Sequence, residues 1–208
     1  MPNWVYNKVF FHGDESEIER LKSFVKSEES DFDFNNIIPM PQALNLTCGS
    51  DQVFSKKCAK ARRETGATTT DEYENSQSWI KEKSFEEWAD LGDKYYANKE
   101  KYGYETWYDW CCDKWGTKWN ANDVMWSGDN LYFNTAWNTC EPVFEKLYEL
   151  FPKIEFEVEF ADEDIGSNCG TISFEDGEFF VNYINSIEFA CDVWGYDYEE
   201  MMSEYEGA

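Results

Sequence analysis

Trp115-Gly116-Thr117-Lys118-Trp119-Asn120-Ala121 leads into residues 122–127, which read as a short strand, and on through Gly128-Asp129-Asn130 to a return strand at 131–136. Glycine and asparagine supply the positive φ that a tight hairpin turn needs. A helix has to follow, because Thr135-Ala136-Trp137-Asn138-Thr139-Cys140-Glu141-Pro142 carries the marks of a helix start. Thr139 serves as N-cap, Glu141 suits the positive end of the helix dipole, and Pro142 sits in the first turn, where its missing N–H is harmless. Val143, Phe144, Leu147 and Leu150 then fall on one face, and Phe151-Pro152 ends the run. The core closes in this segment, and Trp119 and Trp137 read as buried rings within it.

Working outward, residues 3–12 carry the aromatic and β-branched content of a first strand. Gly13-Asp14 ends it, and a helix follows with Asp14 or Ser16 as cap and Ile18, Leu21, Phe24 and Val25 as its apolar stripe. Residues 30–46 run through Phe32, Phe34, Ile37 and Ile38 into Pro39-Met40-Pro41 and read as an extended packing arm, since the residue before each proline is pushed out of the helical region. Residues 71–119 hold six tryptophans and six tyrosines. Phe85, Trp88 and Leu91, then Tyr104, Tyr108 and Cys111-Cys112, recur at helical spacing, as in a small helical insertion laid against a sheet. Past the central helix, residues 153–160 alternate strictly, with Ile154, Phe156, Val158 and Phe160 inward and Glu155, Glu157 and Glu159 outward. Residues 171–175 and 178–184 flank an Asp176-Gly177 turn, and a last helix buries Ile187, Phe189, Ala190, Val193 and Trp194.

The order is strand, helix, insertion, strand, strand, helix, strand, then an added hairpin and a C-terminal helix. Without the additions this is βαββαβ, the ferredoxin-like arrangement, so the fold class is α+β with both core helices on one sheet face. The expected organisation is one ferredoxin-like domain over 1–208, with a Trp/Tyr-rich helical insertion at about 47–114.

The 208 residues are 42% hydrophobic and 19% aromatic, enough for a sizeable core, and carry a formal charge of −25. Such a field opposes direct nucleic-acid binding, which depends on Lys and Arg, and favours a basic protein partner. Seven cysteines without a CxxC pair, with no signal peptide or long apolar run, fit reduced thiols in a cytoplasm and no membrane association. With His12 the single histidine, and no GxSxG, Walker or GxGxxG motif, the chain offers no catalytic constellation, structural metal or cofactor.

Four motifs lie in one order along nearly the whole chain: Met1-Pro2-Asn3-Trp4 with Asn7; Phe34-Asn35-Asn36-Ile37-Ile38-Pro39-Met40-Pro41; Trp115-Gly116-Thr117-Lys118-Trp119-Asn120; and Thr135-Ala136-Trp137 before Pro142. Together they resemble the YubB-like, ferredoxin-like proteins of phages and plasmids. The resemblance implies a ferredoxin-like core and a mobile-element origin, and it implies no defined reaction. The Tyr/Trp-rich segment 71–113 and the acidic tail depart from the family pattern.

Charge asymmetry points furthest toward function. Residues 154–208 hold sixteen Asp and Glu and no Lys or Arg, for −16, while everything before them carries −9. Glu155, Glu157 and Glu159 stand about 7 Å apart on one strand face, roughly the spacing of phosphates along a nucleic-acid strand, so the row can occupy a groove built for phosphates. The expected partner-binding set is Glu155, Glu157, Glu159, Asp162, Glu163, Asp164, Glu175, Asp176 and Glu178, and the expected partner is a basic, nucleic-acid-handling host protein or ribonucleoprotein. The expected function is a non-enzymatic inhibitor of a host defence complex, a CRISPR effector among them. Two alternatives stand beside it. One is a metal-dependent nuclease in which Asp162, Asp164 or Glu175 holds Mg²⁺, and the other is a nucleic-acid-binding module using Lys56, Lys57, Lys60, Arg62 and Arg63.

Overall fold

The computed structural model describes residues 2–75, 78–175 and 178–207. The expected Asp176-Gly177 turn and the Glu175 side chain lie outside the described residues. The chain forms two compact units, one comprising residues up to Pro39 and from Cys111 onward, the other Met40–Trp110.

The first unit holds β1 (Trp4–His12), α1 (Glu15–Val25) and α2 (Phe34–Ile37). The second holds α3 (Ser50–Thr65), α4 (Asp71–Glu74) and α5 (Phe85–Tyr102), and α6 (Trp107–Lys114) spans the boundary. The first unit resumes with β2 (Asn122–Ser127), β3 (Asn130–Ala136), α7 (Glu141–Leu150), β4 (Glu155–Asp162), β5 (Cys169–Glu175), β6 (Glu178–Tyr183), α8 (Ile187–Trp194) and α9 (Tyr198–Gly207). The strands make one six-stranded sheet in the order β2-β3-β1-β4-β5-β6, with every pairing antiparallel. Strands β2, β3, β1 and β4 with α1 and α7 are the ferredoxin-like βαββαβ core, and the β5–β6 hairpin extends it beyond β4.

Period-two burial sorts the sheet into an inner and an outer face. Val5, Asn7, Val9 and Phe11 of β1 are buried, and across the ladder they meet Phe133 and Leu131 of β3 and Phe160, Val158 and Phe156 of β4. Helix α7 covers this face, its Phe144 ring 6.1 Å from Phe133 and 6.2 Å from Phe156. The added hairpin keeps the expected register, Ile172 opposite Val181 and Phe174 opposite Phe179.

The outer face departs from expectation. The added C-terminal helix covers the face that alternation leaves polar: α8 lies across the outer face, where Ala190 and Val193 pack on Ala161 and Cys169, and Trp194 stacks on Tyr6 at 5.2 Å. The cause is local chemistry, because the small Ala161 follows Glu159 on that face and Tyr6 stands beside it in register. Two further expectations change. Thr139 is not the N-cap of α7, which is Cys140; its hydroxyl is buried and donates to Asn7 Oδ1 at 2.6 Å. Residues 34–37 form a helical turn rather than extended chain, because Asp33 Oδ1 accepts the Asn35 N–H at 2.9 Å and caps it.

The opening motif is a set of ties. Trp115 Nε1 donates to the Ile38 carbonyl at 2.9 Å, and the Thr117 hydroxyl donates to the Ala136 carbonyl and accepts its N–H at 2.8 and 3.0 Å. Gly116, at φ 76°, passes so close to α7 that a Cβ would lie 2.8 Å from Pro142 Cδ. Asn120 accepts the Phe34 N–H at 2.9 Å and donates to Asp33 Oδ1 at 2.7 Å. Burial by itself would raise the Asp33 carboxyl, but hydrogen bonds from Asn35, Asn120 and Ser27 outweigh it and hold the group below its ordinary value. A carboxyl lowered in the folded state adds stability above the unfolded pKa and loses it as pH falls through the folded one. Wild type should therefore melt higher than Asp33→Asn at neutral pH, with the gap closing on acidification through and below the ordinary carboxylate range. A gap that persists unchanged in acid would refute this assignment.

The helical unit has its own core, in which Phe54, Cys58, Ile80, Phe85, Trp88 and Ala89 pack together. Trp88 Nε1 donates to the Ile80 carbonyl at 2.7 Å, and the Tyr95 hydroxyl to the Thr47 carbonyl at 2.6 Å, so these large rings place their polar ends as well as their area.

Candidate partner-binding surface

Strand β4 supplies the centre of the acidic surface. Glu155 and Glu157 are exposed on the outer face, and Glu159 is half-buried. The difference follows from their neighbours across β1: Glu155 stands opposite His12, Glu157 opposite Phe10 and Glu159 opposite Lys8. Lys8 itself reaches α8, where its Nζ donates to the Asp192 carbonyl at 3.0 Å. The expected row of three equivalent carboxylates is therefore two exposed ones and a third shaded by α8 and set beside a cation.

The loop after β4 sorts its acids by strand parity. Asp162 follows Phe160 on the inner face and is only 5% exposed. Its Oδ1 accepts from Asn3 Nδ2 at 3.2 Å and from the Asp164 N–H at 2.9 Å, and Oδ2 accepts from Asn168 Nδ2 at 3.2 Å. Asp162 is thus a structural tie between the chain's first residues and this loop, and the expectation that it faces a partner does not hold. Glu163 and Asp164 are exposed, the latter accepting from Ser167 Oγ at 2.8 Å. Among the described residues no group of three or more His, Cys, Asp or Glu is placed to hold a metal ion.

At the far edge, Glu178 is exposed and pairs in register with Glu175. Asp176 and the Glu175 side chain lie outside the described residues. The structure adds acids that the strand-based reading missed. Glu188 and Asp192 are exposed one turn apart on α8, whose other side packs on the sheet, and Asp197, Glu199 and Glu200 follow, all exposed. The signal was present in the sequence, since the stripe of Ala190, Val193 and Trp194 leaves 188 and 192 on the opposite side of the helix.

Ion pairing among the described residues stops short of this surface. Among the described residues, ion pairs take their carboxylates from Glu17 to Glu149 and none from Glu155 onward. The basic run on α3 is the opposite case. Lys56 pairs with Glu105 at 2.6 Å, Lys57 with Glu72 at 2.7 Å and Lys60 with Glu64 at 3.8 Å. Arg62 meets Glu86, Asp90 and Asp93, and Arg63 meets Asp93 at 2.7 Å. Each of the five cations expected to form a nucleic-acid patch thus has a carboxylate of its own unit beside it.

Burial accounts for the thiols. Cys58, Cys111, Cys140, Cys169 and Cys191 are buried, and desolvation pushes Cys58 up to about 11, Cys111 to about 12 and Cys140 well above the ordinary thiol value. The three raised thiols stay protonated, and all five buried cysteines pack as small apolar residues. No helix among the described residues is long and apolar enough to cross a membrane.

A six-stranded antiparallel sheet with the β4-β1-β3-β2 core and an acid-rich extension narrows the comparison with known proteins. Residues 114–206 match the family model described as a ferredoxin-like domain in Api92-like protein. The matched segment begins at Lys114, so it contains β2 through α8 while β1 and α1 lie outside it. It includes the whole unpaired acidic surface from Glu155 to Glu200. The crystal structure of a protein api92 from Yersinia pseudotuberculosis superposes with a TM-score of 0.45 at 10% identity, over 88% of this chain and 99% of that one. No curated protein matches the chain.

Proposed function

We propose that this chain acts by binding, its acidic surface engaging a basic, nucleic-acid-handling partner in the place of nucleic acid. The observation that carries this reading is the pairing pattern. Before Lys153 many carboxylates are matched by Lys or Arg, although Asp14, Glu15, Glu28 and Glu145 are exposed without a described ion pair. Past Lys153 the chain has no cation at all, and Glu155, Glu157, Glu163, Glu178, Glu188 and Asp192 are exposed and unpaired by any described cation. Self-repulsion of this kind works against folding, and a complementary positive surface relieves it. The resemblance of the four motifs to YubB-like phage and plasmid proteins supplies the setting: a cytoplasmic protein of a mobile element that blocks a host defence complex, a CRISPR effector among the candidates, by occupying its nucleic-acid channel. The fully paired basic run gives the nucleic-acid-module reading little support, and the internal hydrogen bonding of Asp162 removes one ligand from the nuclease reading.

The test is capture from host lysate by immobilised wild type and by a Glu155→Lys/Glu157→Lys variant, which leaves the half-buried Glu159 beside Lys8 untouched, with circular dichroism on both. Wild type should retain a basic nucleic-acid-handling protein at low salt and release it when salt or DNA is added. The variant should fold equally, because exposed strand positions contribute little stability, and should retain roughly tenfold less. Equal capture by two equally folded proteins would end this reading.

A further inference from the structure

A group of rings on the same unit is left over once the core is assembled. Lys118 Nζ lies 4.5 Å from the Trp119 ring centroid and 4.7 Å from that of Trp137, so two indoles flank one ammonium. Trp119 packs in turn on Trp4, centroids 5.8 Å apart. Two residues along the same face of β1, Tyr6 stacks on Trp194, and Trp194 on Tyr196 at 6.0 Å with the planes 8° apart. Rings that serve only a core are buried, yet Trp119 is 37% exposed, Trp137 36% and Tyr196 47%, which overturns the expectation that Trp119 and Trp137 are core residues.

The backbone holds one of these rings outward against its own preference. Trp137 has φ 72°, a left-handed conformation unfavourable for any residue with a Cβ. It is fixed there from both sides, its N–H donating to the Asn3 carbonyl at 2.9 Å and its carbonyl accepting from Asn168 Nδ2 at 2.9 Å. Strain of this kind collects where a side chain is presented for use.

The rim selects the occupant. Glu163 is exposed and joined to the base of Trp4 by its N–H, which donates to the Trp4 carbonyl at 2.8 Å; Asp192 and Asp197 flank Trp194 and Tyr196. Indole faces and carboxylates both attract cations, and a guanidinium stacks flat on an indole in a way an ammonium cannot. A phosphate would meet the carboxylates, and a purely apolar segment would bury them without partners. Lys118 shows within the chain that these rings accept a cation, and an incoming guanidinium has to displace its ammonium or stack on ring surface that it leaves open. We propose that the Trp4, Trp119 and Trp137 surface receives arginine side chains of a basic protein, with Glu163, Asp192 and Asp197 guiding the approach. This deepens the binding reading above and rests on it.

Calorimetric titration with an oligoarginine peptide and an oligolysine peptide of equal length separates the two ideas. Wild type should bind oligoarginine roughly tenfold more tightly than oligolysine, the difference supplied by stacking on indole. A Trp119→Leu/Trp137→Gly variant should lose that preference and bind both at the oligolysine level. Glycine is chosen at 137 because it adopts positive φ freely, so the fold is retained, and thermal melts verify this. The Glu155→Lys/Glu157→Lys variant should instead weaken both peptides alike. Equal binding of the two peptides by wild type, or a preference that survives in the folded double variant, would overturn the arginine assignment alone. Failure of both peptides to bind wild type would overturn it together with the acidic-surface reading.

Discussion

Asn7→Leu should lower the stability of the sheet unit by about 3 kcal/mol, although the volume is nearly conserved. Asn7 is 0% exposed at the middle of the central strand. Its Nδ2 donates to Thr135 Oγ1 at 2.9 Å and to the Val5 carbonyl at 3.0 Å, and its Oδ1 accepts from Thr139 Oγ1 at 2.6 Å. Leucine fills the space and leaves the buried Thr139 hydroxyl without its acceptor; an orphaned polar group of that kind costs about 1–3 kcal/mol beyond the lost bonds. Thr135 suffers less, because its hydroxyl also reaches the Val5 carbonyl at 3.4 Å. The loss should appear in urea unfolding as a lower midpoint at unchanged slope. Thr139→Val placed in the Asn7→Leu background should then be nearly neutral, whereas in wild type it should cost about 1–2 kcal/mol, and that coupling identifies the pair. Strictly additive single effects would refute it.

The same network shows what sequence alone could and could not deliver. Asn7 was visible as part of a motif, but nothing in its spacing says that it pairs with a threonine 132 positions away, so Thr139 read as a helix cap. The strands were legible because period two is written directly into β4, and the added hairpin because Phe174 and Phe179 must share a face. Parity also fixes Asp162: it is even-numbered like Phe156, Val158 and Phe160, and so belongs inside, but its charge made a surface position the more natural reading. Trp119 and Trp137 failed for the opposite reason. Ring size argues for burial, and only the positive φ of Trp137 and the approach of Lys118 reveal that the rings are turned outward. The docking of α8 on the outer face had a signal in Trp4, Tyr6 and Phe10, which put aromatic rings on a face expected to be polar. The exposed pair Glu155 and Glu157 followed from alternation, while the contribution of Glu188 and Asp192 required knowing which side of α8 meets the sheet.

Gly92→Ala should also destabilise its unit, and it bears on where a partner binds. Helices α3 and α5 cross at this glycine so closely that a Cβ would lie 2.1 Å from the Ser55 carbonyl oxygen and 2.6 Å from Ala59 Cβ. The first clash is with backbone, so no side-chain rotation relieves it, and the helices must separate. Alanine gains about 1 kcal/mol of helix propensity over glycine, while overpacking a closed core costs about 1–3 kcal/mol and occasionally more. Displacement also opens the contact of Phe54 with Trp88, now edge to face at 5.4 Å. A net loss of about 2 kcal/mol, the upper end of that balance, is expected because the clash is with backbone, seen as reduced helical circular dichroism and a lower melting temperature; a variant as stable as wild type would mean that the crossing is looser than this geometry. The unpaired carboxylates from Glu155 onward and the Trp4, Trp119 and Trp137 rings all belong to the other unit. Capture of a basic partner should therefore persist in Gly92→Ala while the helical signal falls. Capture that disappears together with that signal would put part of the interface on residues 40–110, where the cations of α3 are already matched by Glu105, Glu72, Glu86 and Asp93 but Glu82 and Glu100 are exposed without a described ion pair.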